Sequence, residues 1–241
     1  VDGLRQIEAP HPDANLRGRA PGGAGEDIAL VADDVHHVAG PDAALEAVSA
    51  RGREMASLSI EDNGKMAAVF GPLEQIEQVV AEIAADGSNV VIANINSTSQ
   101  AVIGGASVPV ERAVARFTEL GINAVLIPVS HAFHTSIVAP ASVPLIDSLR
   151  RLNVQGPKLP IIANVTGEFY PADADTEFML DMLGKQVASP VQFVKGLRTL
   201  YDAGARVFVE VGPKKALHGF VEDVLVSRHD DVVALLTNHP K

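Results

Sequence analysis

Between Lys65 and Pro128, apolar runs of strand length and segments of helical period follow the order strand, helix, strand, strand, helix, strand. No other feature restricts the possible fold as much. Met66-Ala67-Ala68-Val69-Phe70 reads as the first strand. Gly71-Pro72 then opens a helix that carries Leu73, Ile76, Val79, Val80 and Ile83 on one face, and Asp86-Gly87 ends it. Val90–Ala93 and Ala101–Ile103 read as a hairpin joined by the polar turn Asn94–Gln100. A second helix begins near Pro109, presents Val110, Ala113, Val114 and Phe117, and stops at Gly121 before the strand Ala124–Ile127. This order is the split βαβ pattern of ferredoxin-like units.

The flanking sequence is mixed α/β. A helix is predicted from Pro41 to Ala56, with Ala44, Leu45 and Val48 on its apolar side and Arg51 and Arg53 at its polar end. After the βαββαβ run, the pattern predicts a helix over Ser142–Leu152, a strand over Leu159–Val165 and a turn at Thr166-Gly167. Helices over Glu177–Val187 and Val191–Ala203 follow. A strand Arg206–Glu210 then leads into Val211-Gly212-Pro213, and a helix Lys215–Val226 and a strand Val232–Leu236 close the pattern. Residues 1–25 are rich in Pro, Gly and charge without sustained period, so residues 1–40 are expected to be a linker or poorly ordered remnant. The expected units are then 65–128 as a small ferredoxin-like subdomain and 41–64 with 129–241 as a larger one.

A formal charge of −11 argues against a nucleic-acid groove or an anionic membrane surface as partner. The absence of cysteine excludes disulfides, thiolate metal sites and a thiol nucleophile, and it fits a cytoplasmic location. No run approaches the ~18 apolar residues of a membrane span. The chemistry must therefore come from other groups. His131-Ala132-Phe133-His134, just after the strand ending at Ile127, sets two imidazoles where α/β folds place proton-transfer groups.

The ordered motifs resemble one family. Ala50-Arg51-Gly52-Arg53-Glu54-Met55, Ala93-Asn94-Ile95-Asn96-Ser97 and Val129-Ser130-His131-Ala132-Phe133-His134-Thr135 come first. Ile162–Gly167, Ala188-Ser189-Pro190-Val191-Gln192-Phe193 and Glu210-Val211-Gly212-Pro213 follow. Together they resemble the C-terminal two-thirds of malonyl-CoA:acyl carrier protein transacylases and of the acyltransferase domains of type I polyketide and fatty acid synthases. The resemblance implies an α/β fold, with part of an α/β-hydrolase-like large subdomain and an inserted ferredoxin-like small one.

It also implies ping-pong transfer of a malonyl group from malonyl-CoA, through a serine ester, to the phosphopantetheine of an acyl carrier protein. No cofactor or metal is implied. The implied partners are that carrier protein and the other domains of a multienzyme synthase, in the cytoplasm. His134 matches the family's base, with its second nitrogen expected on a backbone carbonyl near Pro213 or Lys214. Arg51 matches the arginine that holds the malonyl carboxylate, a task suited to a planar guanidinium. Phe133 matches the position associated with malonyl over methylmalonyl units, a difference of one methyl or about 1–3 kcal/mol. His131, Asn94 and Asn96 are expected along the substrate cleft.

The chain departs from the pattern at the nucleophile. Where the family has Gly-His-Ser-x-Gly-Glu, the comparable stretch is Gly22-Gly23-Ala24-Gly25-Glu26, with Gly23 at the serine position. Ser130 and Ser189 lack the strand-turn-helix setting of a nucleophile elbow. The expectation is an incomplete domain whose strands present open apolar edges. The alternatives are a degenerate homologue acting as a docking or structural module, and a ligand-binding or regulatory role for residues 65–128.

Overall fold

The structure, a computed structural model, describes residues 41–212 and 215–237. The expected linker 1–40, the Gly22–Glu26 stretch, Pro213 and Lys214 lie outside the described residues. Helix α1 (Pro41–Ala56) leads into β1 (Lys65–Phe70), α2 (Leu73–Ala84), β2 (Val90–Ile95), β3 (Gln100–Gly105), α3 (Ser107–Glu119) and β4 (Asn123–Ile127). The four strands form one antiparallel sheet in the order β2-β3-β1-β4, the ferredoxin-like order that the alternation predicted.

The period-2 alternation of the strands divides this sheet into two working faces. Ala67, Val69, Ala101 and Ile103 face the helices, where Ile76, Val79, Val80 and Ile83 of α2 and Val110, Ala113 and Phe117 of α3 close over them. Burying side chains as large as Phe117, Ile76 or Ile103 contributes about 1.5–3 kcal/mol each. Met66, Ala93 and Val102 point the other way and meet Ala132, Phe133 and Ile137 of the histidine segment. The sheet is thereby the floor on which that segment rests.

The predicted hairpin turn is shorter than its sequence suggested. β2 continues to Ile95 through a register shift between Ile92 and Asn94, so Asn94 is a strand residue rather than a turn residue. The cause is an additional partner: Ile95 N donates to Val191 O and Val191 N to Ala93 O, both at 2.9 Å.

A second core joins α1 to α4 (Ser142–Arg150) and α5 (Thr176–Gln186), with a 3-10 segment Ser136–Ala141 leading in. The buried stripe of α1 is Ala44, Ala47 and Ala50, whereas Leu45 is 67% and Val48 42% exposed. The predicted apolar side is therefore rotated, because alanines admit a closer helix approach than leucine or valine. Between α4 and α5 the approach is closer still: a Cβ on Gly184 would stand 2.5 Å from Ile146 Cδ1.

The predicted strand Leu159–Val165 is reduced to β5 (Ile162–Ala163), paired antiparallel with β6 (Glu168–Phe169) across Thr166-Gly167. Pro157 and Pro160 lack the N–H groups a longer ladder needs. Last come α6 (Phe193–Asp202), β7 (Val207–Glu210), α7 (Ala216–Val221) with a π turn over Glu222–Val226, and β8 (Val233–Leu236). β7 and β8 are parallel, and the Glu210 carboxylate accepts from the amides of Ala216, Leu217 and His218 at the start of α7. Among the described residues no helix is long and apolar enough to cross a membrane.

Candidate functional site

The histidine segment is held from three sides. Ala132 N donates to Asn63 O at 2.8 Å, and Thr135 Oγ1 donates to Ala132 O at 2.6 Å. Thr135 packs on the sheet at Gly104, where a Cβ would meet its Cγ2 at 3.0 Å. Between these anchors His134 adopts φ 59°, the left-handed region that a non-glycine residue enters at about 1–2 kcal/mol. That conformation turns the imidazole toward the end of α5.

His134 Nδ1 lies 3.2 Å from the carbonyl oxygen of Gln186. Gln186 is the last residue of α5, where helix carbonyls have no intrahelical donor. A carbonyl only accepts, so in the neutral ring the proton sits on Nδ1 and the lone pair on Nε2. Burial lowers the His134 pKa below the ordinary imidazole value, and the Arg51 charge lowers it further; backbone bonds from Gln186 and Ser189 act in the opposite direction. The neutral form of the imidazole is thus favoured. Among the described residues the acceptor that faces His134 Nδ1 is Gln186 O; Pro213 and Lys214, near which an acceptor was expected, lie outside the described residues.

Gln186 also lines a small cavity between α1, α4 and α5, with Ala47, Leu145, Leu149, Leu183 and Arg51. Arg51 is half-buried and has no carboxylate partner among the described residues. Arg53, two residues on, is exposed and bonded to Ser49 and Glu46 at 2.7 and 3.7 Å. The two arginines of the motif are therefore in different environments, one facing an apolar cavity and one solvated.

The remaining candidates are spread around this centre. His131 is 4% exposed with neither ring nitrogen bonded among the described residues, and its ring is 6.3 Å from that of Phe133. Phe133 packs against both the helical core and the sheet floor. Asn94 and Asn96 are half-buried, Asn94 in the β2 segment tied to Val191, five residues beyond Gln186. None of these four lines the Arg51 cavity. No serine hydroxyl is paired with His134, and no cluster of three metal-ligating side chains occurs, among the described residues.

Two residues were missed from sequence. Gln186 closes a helical pattern, and the rule of unpaired terminal carbonyls was a signal that could have found it. Asp223 Oδ2 accepts from Thr98 N and Oγ1 at 2.9 Å and from Ser99 Oγ at 3.2 Å, fixing the β2–β3 turn to the C-terminal unit. Its partners lie more than a hundred residues away, beyond any local pattern.

Residues 24–238 match the family described as acyl transferase domain. The chain is 32% identical over 183 residues to the malonyl CoA-acyl carrier protein transacylase of Bacillus subtilis, covering 75% of this chain and 57% of that protein. It is 29% identical over 202 residues to the enzyme of the same name from Staphylococcus aureus, covering 83% and 64%. Among solved structures it resembles the malonyl CoA-acyl carrier protein transacylase of Clostridium perfringens, with a TM-score of 0.74, 30% identity and coverage of 84% of this chain and 63% of that one. The acyltransferase domain from the second module of the salinomycin polyketide synthase aligns with a TM-score of 0.67 at 29% identity, over 85% and 46%. The chain spans less than two thirds of the length of these relatives.

Proposed function

The chain belongs to the acyl transferase domain family, and on that premise we propose that it serves malonyl transfer from coenzyme A to an acyl carrier protein. The observation that supports this most directly is the double use of Gln186, whose carbonyl holds His134 while its residue shares a cavity with Arg51.

In this reading His134 Nε2 takes the proton of a nucleophilic serine, which the described residues do not place beside it and for which the comparable stretch has Gly23, as the serine oxygen bonds to the thioester carbonyl carbon. It returns that proton to the coenzyme A sulfur as the C–S bond breaks. In the second half the phosphopantetheine thiol gives its proton to Nε2, attacks the ester, and the proton passes to the serine oxygen. The imidazolium formed in each half is stabilised through Nδ1–H by Gln186 O. Arg51 receives the free carboxylate of the malonyl group through two parallel hydrogen bonds, which a neutral acyl group forgoes. Phe133 limits bulk at the acyl α-carbon, Asn94 and Asn96 lie along the substrate cleft, and His131, buried beside Phe133, positions the loop. The partners are a carrier protein and the other domains of a synthase, in the cytoplasm.

The test is transfer of radiolabelled malonyl groups from malonyl-CoA to a carrier protein by the intact protein. Label should accumulate on the carrier protein and fall by at least a hundredfold in His134→Ala, the scale on which general-base loss acts. Transfer unaffected by that substitution, or no transfer at all, rejects the reading.

A further inference from the structure

Resting on that reading, we propose that Arg51 sets the strength of the base according to what the guanidinium holds. With the cavity empty its positive charge opposes protonation of His134. A substrate carboxylate seated on it cancels the opposition, so a dicarboxylic acyl group activates the base that transfers it.

Both groups meet one residue. Gln186 contributes to the cavity that Arg51 lines and offers its carbonyl to His134 Nδ1 at 3.2 Å. Apolar Leu145, Leu149 and Leu183 wall the cavity beside Arg51, which weakens screening on that side. Arg51 has no carboxylate partner among the described residues. Its field reaches the imidazole, where it acts in the same direction as burial.

The other groups near the ring leave this pair in control. On α5, Lys185 is exposed and paired with Asp181 at 2.7 Å. The segment after α5 presents the backbone of Ser189, and α4 presents leucines. On its own loop the titratable neighbour is His131, buried behind Phe133. Glu54 on α1 is three residues beyond Arg51 and half-buried. Linkage makes the effect reciprocal: a malonyl group that promotes protonation of His134 must itself bind more tightly as His134 takes up a proton.

The test is a titration of the histidine ring resonances of the isotope-labelled full chain by NMR, with the His134 signal assigned by its loss in His134→Gln. The probes are an amide analogue of malonyl-CoA that cannot be cleaved and the corresponding acetyl analogue, with binding of each followed by calorimetry. The malonyl analogue should raise the His134 midpoint by about one pH unit, a tenfold gain in proton affinity, and the acetyl analogue should not. Arg51→Gln should raise the midpoint of the empty protein and erase the difference between the analogues, whereas Arg51→Lys, which keeps the charge, should retain the low starting value. If the malonyl analogue binds and the His134 midpoint does not move, or if the acetyl analogue moves it equally, the coupling is wrong while the malonyl reading stands. If the malonyl analogue does not bind, the malonyl reading fails and the coupling with it.

Discussion

The Nδ1 atom of His134 and the carbonyl oxygen of Gln186 stand 3.2 Å apart, joining a left-handed loop residue to the last residue of a helix 52 positions later. The contact fixes which nitrogen is basic before any substrate is present. It also makes the base depend on the packing of α5 against α4, where the contact of Gly184 with Ile146 leaves no space for a side chain.

The first prediction concerns pH. Burial and the Arg51 charge hold the folded His134 pKa below the ordinary value of about 6.5, so the unfolded chain binds the proton more readily than the folded one. Stability from this group is therefore complete above pH 6.5 and falls as pH drops through the window below it. The acid limb of kcat/KM for malonyl transfer should likewise lie below pH 6.5. A limb at or above that value would mean that another group, or an unburied imidazole, is the base.

Backbone strain at the same residue gives a second prediction. At φ 59° an L-residue with a Cβ is strained and glycine is not. His134→Gly should therefore be more stable than His134→Ala by about 1 kcal/mol in urea unfolding, although both lose the imidazole and its hydrogen bond. Equal stabilities would show that the loop relaxes once the ring is gone.

Asp223 supplies a third. Burial works to raise its carboxyl pKa, but the hydroxyls of Thr98, Ser97 and Ser99 and the Thr98 amide outweigh it and hold the carboxyl below its usual range. A folded pKa below the unfolded one adds stability that is present above the unfolded value and lost as pH falls through the folded one. Asp223→Ala should destabilise the protein by about 1 kcal/mol at pH 7, discounted for the part exposure of the carboxylate. The gap should narrow as pH falls below the ordinary carboxyl value of 3.8, and a gap independent of pH would assign the residue to packing alone.

How much of this was legible in the sequence follows from the range of each interaction. The βαββαβ order and the helix Pro41–Ala56 were readable because each depends on neighbours within a few residues. The rotation of α1 onto Ala44, Ala47 and Ala50 was not, since the choice between alanine and leucine faces is made by α4 and α5. The extension of β2 past Asn94 required Val191, and the shortening of the strand at Leu159 was written in Pro157 and Pro160 but outweighed in the reading by the apolar run that follows them. Within the candidate site, the carbonyl that meets His134 Nδ1 carries no side-chain signature at all.

The last prediction concerns the β7–β8 pair. Parallel strands are ordinarily covered on both faces. Here Phe208 and Ala234 pack inward with α6, α7 and the π turn, while Val207, Val209, Val233 and Leu235 are between 47% and 59% exposed on the opposite face. Four aligned apolar side chains on one face of a parallel strand pair favour association with another apolar surface. Threonine retains the β-branched shape of valine while adding a hydroxyl, so Val209→Thr with Leu235→Thr should leave strand pairing intact and weaken that association. Sedimentation velocity across a concentration series should then show less self-association for the double variant than for the parent, with unfolding midpoints in urea unchanged. A marked loss of stability with no change in sedimentation would show instead that the face is covered within the protein itself.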